Sequence, residues 1–156
     1  MTTNRTRHRR ANVEVEDGMN LQELAARLRG LTEIEAHVGM QGDAELAMIA
    51  GVHEYGSVKM KIPARSFIGS GKKKSQTAIG KIVRKELKEV ALGHRDPESL
   101  LKELGETGLD RTAKNFDRIR QPGLSPVYAH SKTGKKLLQR ETDLRKSLTY
   151  KIVPRG

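Results

Sequence analysis

Residues 44–74 read AELAMIAGVHEYGSVKMKIPARSFIGSGKKK, and the reading of this stretch decides the fold. Leu46, Ile49, Ala50 and His53 fall at helical spacing on one face. Asp43, just ahead, can accept hydrogen bonds from the unpaired N–H groups of a first helical turn. Gly56 can adopt the left-handed conformation on which helices often end. Beyond Gly56 the period changes to two. Val58, Met60 and Ile62 alternate with Ser57, Lys59 and Lys61, which predicts an extended ribbon. Pro63 fixes its own φ and lacks an N–H donor, so it disfavours helix and central strand alike. Phe67 and Ile68 follow, and then a Gly/Ser/Lys run that includes Lys72, Lys73 and Lys74. A helix, a basic ribbon, a proline turn and a hydrophobic anchor in close succession suit docking better than catalysis.

Working outward, Gln41-Gly42 turns the chain into this helix from a strand over 34–40, where Ile34, Ala36, Val38 and Met40 alternate with Glu35, His37 and Gly39. A helix precedes that strand, starting at Asn20. Glu23 follows three residues later, at capping-box spacing, and Leu21, Leu24, Ala25 and Leu28 make the apolar stripe that Gly30 closes. Val13 and Val15 alternate with Glu14 and Glu16 in a short strand ended by Asp17-Gly18. Downstream, residues 77–92 predict an amphipathic helix with Ile79, Ile82, Val83, Leu87 and Val90 inward and Lys81, Arg84, Lys85 and Lys88 outward. Asp96-Pro97-Glu98 restarts a helix that runs to about Gln121: Asp caps, Pro suits the first helical position, and Glu favours the positive helix end. Gly105 and Gly108 within it serve close packing or a hinge. Residues 122–136 are loop-like, Leu138 to Leu144 can form a turn or short helix, and Leu148, Tyr150 and Ile152 alternate in a final strand.

The chain has 156 residues, the size of one ordinary domain, and a formal net charge of +11. Cysteine is absent, which excludes a disulfide framework, a zinc ribbon and a thiol nucleophile. No apolar run is long enough to span a membrane, and the basic N-terminal stretch lacks the apolar core of a secretory signal. The charge is blocked. Residues 1–10 carry Arg5, Arg7, Arg9 and Arg10 and no acid; residues 11–55 are net −7, 56–95 net +9, 96–121 net −1 and 122–156 net +6. Such blocks fit a phosphate-bearing partner, or self-assembly in which an acidic face meets a basic one, or simply a solvated surface. Residues 1–12, polar and without periodicity, read as a disordered basic arm ahead of a single domain over 13–156.

The signature VHEYGS, a short gap, then IPARSFIG resembles the central motif of the phage virion-morphogenesis and tail-completion proteins, which work at the head–tail junction. That motif is roughly [YH]-E-[YF]-G, then [IP]-P-[AE]-R-[PS]-F-[LIM]. It is matched by His53, Glu54, Tyr55, Gly56, Ile62, Pro63, Ala64, Arg65, Ser66, Phe67 and Ile68. The run LSPVYAHSKTGKKLLQRETDLRKSLTYKIV is similar to a second stretch of the same family, a P-L-[SA]-P loop leading to L-[LI]-x-x-[TG]-x-L-R-x-S-[IL]-x-Y. Leu124, Ser125, Pro126, Leu137, Leu138, Thr142, Leu144, Arg145, Ser147, Leu148 and Tyr150 match it, whereas Gln139-Arg140-Glu141 departs from the usual Asp-Thr-Gly. The resemblance implies an α+β fold, a small antiparallel sheet packed against helices with long extended loops. It further implies a structural virion protein, made in the host cytoplasm. That protein forms a homo-oligomeric ring in the neck, between the head connector (portal adaptor) and tail proteins, around packaged double-stranded DNA. Expected contacts are His53, Glu54, Tyr55, Gly56, Ile62, Pro63, Arg65, Phe67, Ile68, Leu144 and Arg145. On this reading Ser57–Lys74 and Gly123–Lys136 order only against neighbours, Phe67 and Ile68 enter an adjacent subunit, and Arg65 pairs with an acid. Phe67 also reads as a core residue of its own chain.

No enzyme or cofactor is indicated. In GSGKKKS (69–75) Ser66 occupies the place of the first Walker A glycine and Lys73 that of the Ser/Thr; KTGKK (132–136) fails in the same way, with Ala129 and Lys136 in those positions. His53-Glu54 does not continue to H-E-x-x-H. The alternative function is sequence-independent nucleic-acid binding through Arg5, Arg7, Arg9, Arg10, Lys72, Lys73, Lys74, Lys81, Arg84, Lys85 and Lys88. With few aromatics to stack on bases, such binding would rest on phosphates.

Overall fold

The structure is a computed structural model that describes residues 21–42, 44–131 and 143–156. Its elements follow in the order α1 (Leu21–Gly30), β1 (Ile34–Met40), α2 (Ala44–Tyr55), α3 (Ile68–Ala91), α4 (Pro97–Arg118), α5 (Pro126–Ser131), α6 (Asp143–Lys146) and β2 (Leu148–Pro154). β1 and β2 pair antiparallel, with Ile34 opposite Pro154 and Met40 opposite Leu148. The fold is α+β, with a small antiparallel sheet packed against helices. Asn20, Asp43 and the strand expected over residues 13–16 lie outside the described residues, as do the basic arm and residues 132–142.

α3 and α4 form the frame, an antiparallel helical hairpin. Gly93, at φ 77°, turns the chain between them, and Asp96 then caps α4 by accepting from the Ser99 N–H at 3.0 Å. The sheet lies on the other side of α4. Gly105 is what lets it approach: a Cβ there would stand 2.4 Å from Cδ2 of Tyr150 on β2. Close packing, not a hinge, is therefore the role of this glycine. Val90 and Leu100 are fully buried at the turn end of the helical hairpin.

At the opposite end sits the main core. Phe67 is wholly buried and meets Phe116 edge to face, with centroids 5.1 Å apart at 87°. Ala50, Leu144 and Leu148 complete the cluster. The two matched segments of sequence thus converge on one core: Phe67 comes from the first, Leu144 and Leu148 from the second.

Several local expectations change: residues 126–131 form α5 where a loop was expected, and Leu87, expected inward, is 39% exposed. The stretch after Gly56 is not a long ribbon but a tight hairpin: Ser57 and Ile62 exchange N–H···O bonds of 2.8 and 2.9 Å around the turn Val58–Lys61, and Lys61 takes φ 52°. The helix expected from Thr77 begins at Ile68, so Lys72, Lys73 and Lys74 are helical rather than part of a mobile loop. α4 ends at Arg118, three residues short of Gln121, with Ile119 already extended.

Candidate assembly surface

The first signature is held together by one carboxylate. α3 begins without a cap of its own, since Phe67 at its N-cap is in the helical region and offers no side-chain acceptor. Four unpaired N–H groups open every helix, and here Glu54, at the end of α2, answers three of them. Its Oε2 accepts from the N–H groups of Phe67 at 2.8 Å and Ile68 at 2.9 Å. Its Oε1 accepts from the N–H of Gly69 at 2.8 Å and the hydroxyl of Ser66 at 2.6 Å. The positive helix end adds to the attraction. Burial pushes the Glu54 carboxyl up; the Ser66 hydroxyl and the Gly69, Ile68 and Phe67 N–H groups outweigh it, leaving the pKa below the usual carboxylate value.

Arg65 makes the second tie. Its N–H donates to the His53 carbonyl at 2.7 Å, which binds it to the end of α2. The residue is 6% exposed, and its guanidinium donates from Nε to the Pro122 carbonyl and from Nη2 to the Gly123 carbonyl, both at 2.8 Å. A planar fork suits two neighbouring acceptors. The expected acidic partner is replaced by backbone oxygens because the loop after α4 passes directly over the buried arginine. Gly56 takes φ 78°, and a Cβ there would lie 2.8 Å from the Ala64 nitrogen, so the turn out of α2 needs glycine.

Asn115, which the sequence reading did not single out, is 2% exposed on α4. Its Nδ2 donates to the Phe67 carbonyl at 2.9 Å and the Ser70 hydroxyl at 2.6 Å, and its Oδ1 accepts from Lys74 Nζ. An asparagine inside an otherwise amphipathic helix was the available signal, since such a residue is a poor helix former unless its amide finds partners. Leu144 is buried, and Arg145 beside it donates to the Asp117 carboxylate at 3.1–3.2 Å.

Of the two readings of Phe67, the structure takes the intramolecular one, and Ile68 packs against the same core. Phe67 is not presented to a neighbour, because the Glu54 cap seats the start of α3 over the Phe116 ring, whereas Ile68 is half-buried. What the signature presents instead is its outer surface: Tyr55 is 84% exposed, Val58 98% and Met60 63%, with Lys59 and Lys61 exposed between and beside them. Pro63 is exposed as well, Ile62 half-buried.

The proposed basic residues separate into groups. Lys73, Lys81, Arg84, Lys85 and Lys88 are exposed and recur along one side of α3. Lys85 bonds Glu86 at 2.8 Å, and that hydrogen bond raises its pKa. Among the described residues the other four form no salt bridge. Lys74 is spent on Asn115, and Lys72 lies about 100° away from Lys73 on the helix. Arg5, Arg7, Arg9 and Arg10 are outside the described residues. His37 sits on the exposed side of the sheet beside Glu35, at 2.9 Å. No group of His, Asp and Glu that could hold a metal occurs among the described residues.

No family model matches the chain. Over 41 residues it is 54% identical to an uncharacterized protein of Methanocaldococcus jannaschii, a match that covers 26% of this chain and 30% of that relative. The chain therefore spans less than a third of the relative it resembles. No solved structure matches. Among the described residues no helix is long and apolar enough to cross a membrane.

Proposed function

We propose that the chain is a structural subunit of a tailed phage or prophage. It would form an oligomeric ring at the head–tail junction that joins connector to tail around the DNA channel. The observation that carries this reading is the use made of the signature. Glu54, Gly56, Arg65 and Phe67 are all consumed in rigid internal bonds, and the product is a projecting hairpin whose large apolar side chains face solvent. Evolution of a substrate site would place polar groups in a cleft; a fixed apolar projection with lysines beside it serves contact with another protein. The test is imaging of particles. Antibody or gold label against this chain decorates the collar, and particles lacking it fail to join capsid to tail. Joined particles without the chain refute the reading.

A second reading, sequence-independent nucleic-acid binding, is favoured by the ridge of Lys73, Lys81, Arg84, Lys85 and Lys88. These span sixteen residues, Lys73 to Lys88, about 22 Å of helix. Duplex titration at two salt concentrations separates the two: if all five contact phosphates, log affinity falls with log salt at a slope of about −4.5.

A further inference from the structure

α2 is apolar on both faces. Leu46, Ile49, Ala50 and His53 turn inward, and Ala50 is buried. On the opposite side Ala44, Met48, Gly51 and Tyr55 recur at intervals of four, three and four, which sets them in one stripe along the helix. A helix apolar all round belongs in a core, yet Met48 is 65% and Tyr55 84% exposed, and a side chain added at Gly51 would meet nothing within 4 Å. On the hairpin that follows Tyr55, Val58 and Met60 are exposed as well. Four large apolar side chains of α2 and the hairpin are therefore left to solvent, and clustered exposure of this kind marks interaction surfaces.

We propose that two copies of the chain pair through this face, α2 against α2 and antiparallel. Three observations select a second copy and that orientation. First, the exposed charges on the patch are Glu45 at the N-terminal end of α2 and Lys59 and Lys61 just past its C-terminal end. An antiparallel partner sets each Glu45 toward the other copy's lysines and opposes the two helix dipoles; a parallel partner would set Glu45 against Glu45. Second, Ala44, Ala47 and Gly51 leave room for two backbones to approach closely. Third, a self-complementary patch counts twice in the buried area, which brings it toward the roughly 1,200 Å² at which specific interfaces begin. A two-fold contact closes at two copies, so this pairing is not the head-to-tail contact of a ring, and it competes with any ring contact made through Val58 and Met60. It rests on the surface alone and not on the virion reading.

Sedimentation of the purified full chain over a range of concentrations tests it. The chain sediments as a dimer; Met48→Glu and, independently, Gly51→Glu shift it to monomer. Leu87→Glu, at another exposed apolar position, on α3, leaves the dimer intact. Circular dichroism confirms that each variant is folded. Glu45→Lys weakens pairing by about tenfold, and adding Lys59→Glu with Lys61→Glu restores it. A wild-type chain that stays monomeric overturns the proposal. So does a dimer indifferent to Met48→Glu and Gly51→Glu, or a charge reversal without rescue. None of these outcomes depends on whether particles lacking the chain join head to tail.

Discussion

At the scale of single residues, Glu54 is the side chain on which the signature turns. Glu54→Gln keeps an acceptor but loses the charge and turns an amide N–H₂ toward donors, so it should lower stability by about 1–2 kcal/mol, read from urea unfolding. The pH dependence has a definite sign. The folded pKa of Glu54 lies below its unfolded value, so its contribution is fully present above that unfolded value, near about 4.3, and disappears as pH falls through the folded one. The acid limb of the stability profile should therefore be shallower in Glu54→Gln than in wild type; identical limbs would show that the cap contributes nothing. Arg65→Lys cannot reach both the Pro122 and Gly123 carbonyls. It should cost about 1–3 kcal/mol and speed proteolysis near residue 123, a site that limited digestion followed by mass spectrometry would locate.

At the scale of elements, the helices and strands with internal periodicity were legible in the sequence. β1, α2, α4 and β2 fall within a few residues of their expected bounds, because each carries its own apolar period and its own boundary signal, such as Gly56 at the end of α2 or Asp96 at the start of α4. α3 was not legible at its start. Its first turn holds Gly69, Ser70 and Gly71, a poor local helix signal, and its cap arrives from Glu54, which lies far upstream in sequence and close in space. The extended ribbon expected after Gly56 is absent: Val58–Lys61 form a turn with all four residues exposed, and only Ser57 and Ile62 pair across it. Asn115 stayed hidden for the same kind of reason as the start of α3: its partners, Phe67 and Ser70, are brought to it by the helical hairpin. Gly105 supplies the test at this scale. Gly105→Ala drives a methyl into the Tyr150 ring and should destabilise by about 1–3 kcal/mol. Combined with Tyr150→Ala it should show coupling in a double-mutant cycle, measurable by thermal or urea unfolding; additive effects would place the sheet farther from α4 than described.

At the scale of the molecule, the core end and the turn end of the α3–α4 frame have different tasks. The turn end is closed by Val90 and Leu100, and by Arg95 bridging Glu86 and Glu103. The core end gathers residues far apart in the chain, so Phe67→Ala should cost about 3–5 kcal/mol and, by loosening Leu144 and Leu148, release β2 from protection in hydrogen exchange. The hairpin also has both of its feet on the same anchor: Glu54 stands just before it, and the N–H groups that Glu54 holds come just after. A lateral pull on that projecting loop cannot be absorbed locally. It is delivered to a single acid group and from there to the opening turn of the longest helix, so a neighbour that grips Val58 and Met60 has a mechanical line into the middle of the subunit.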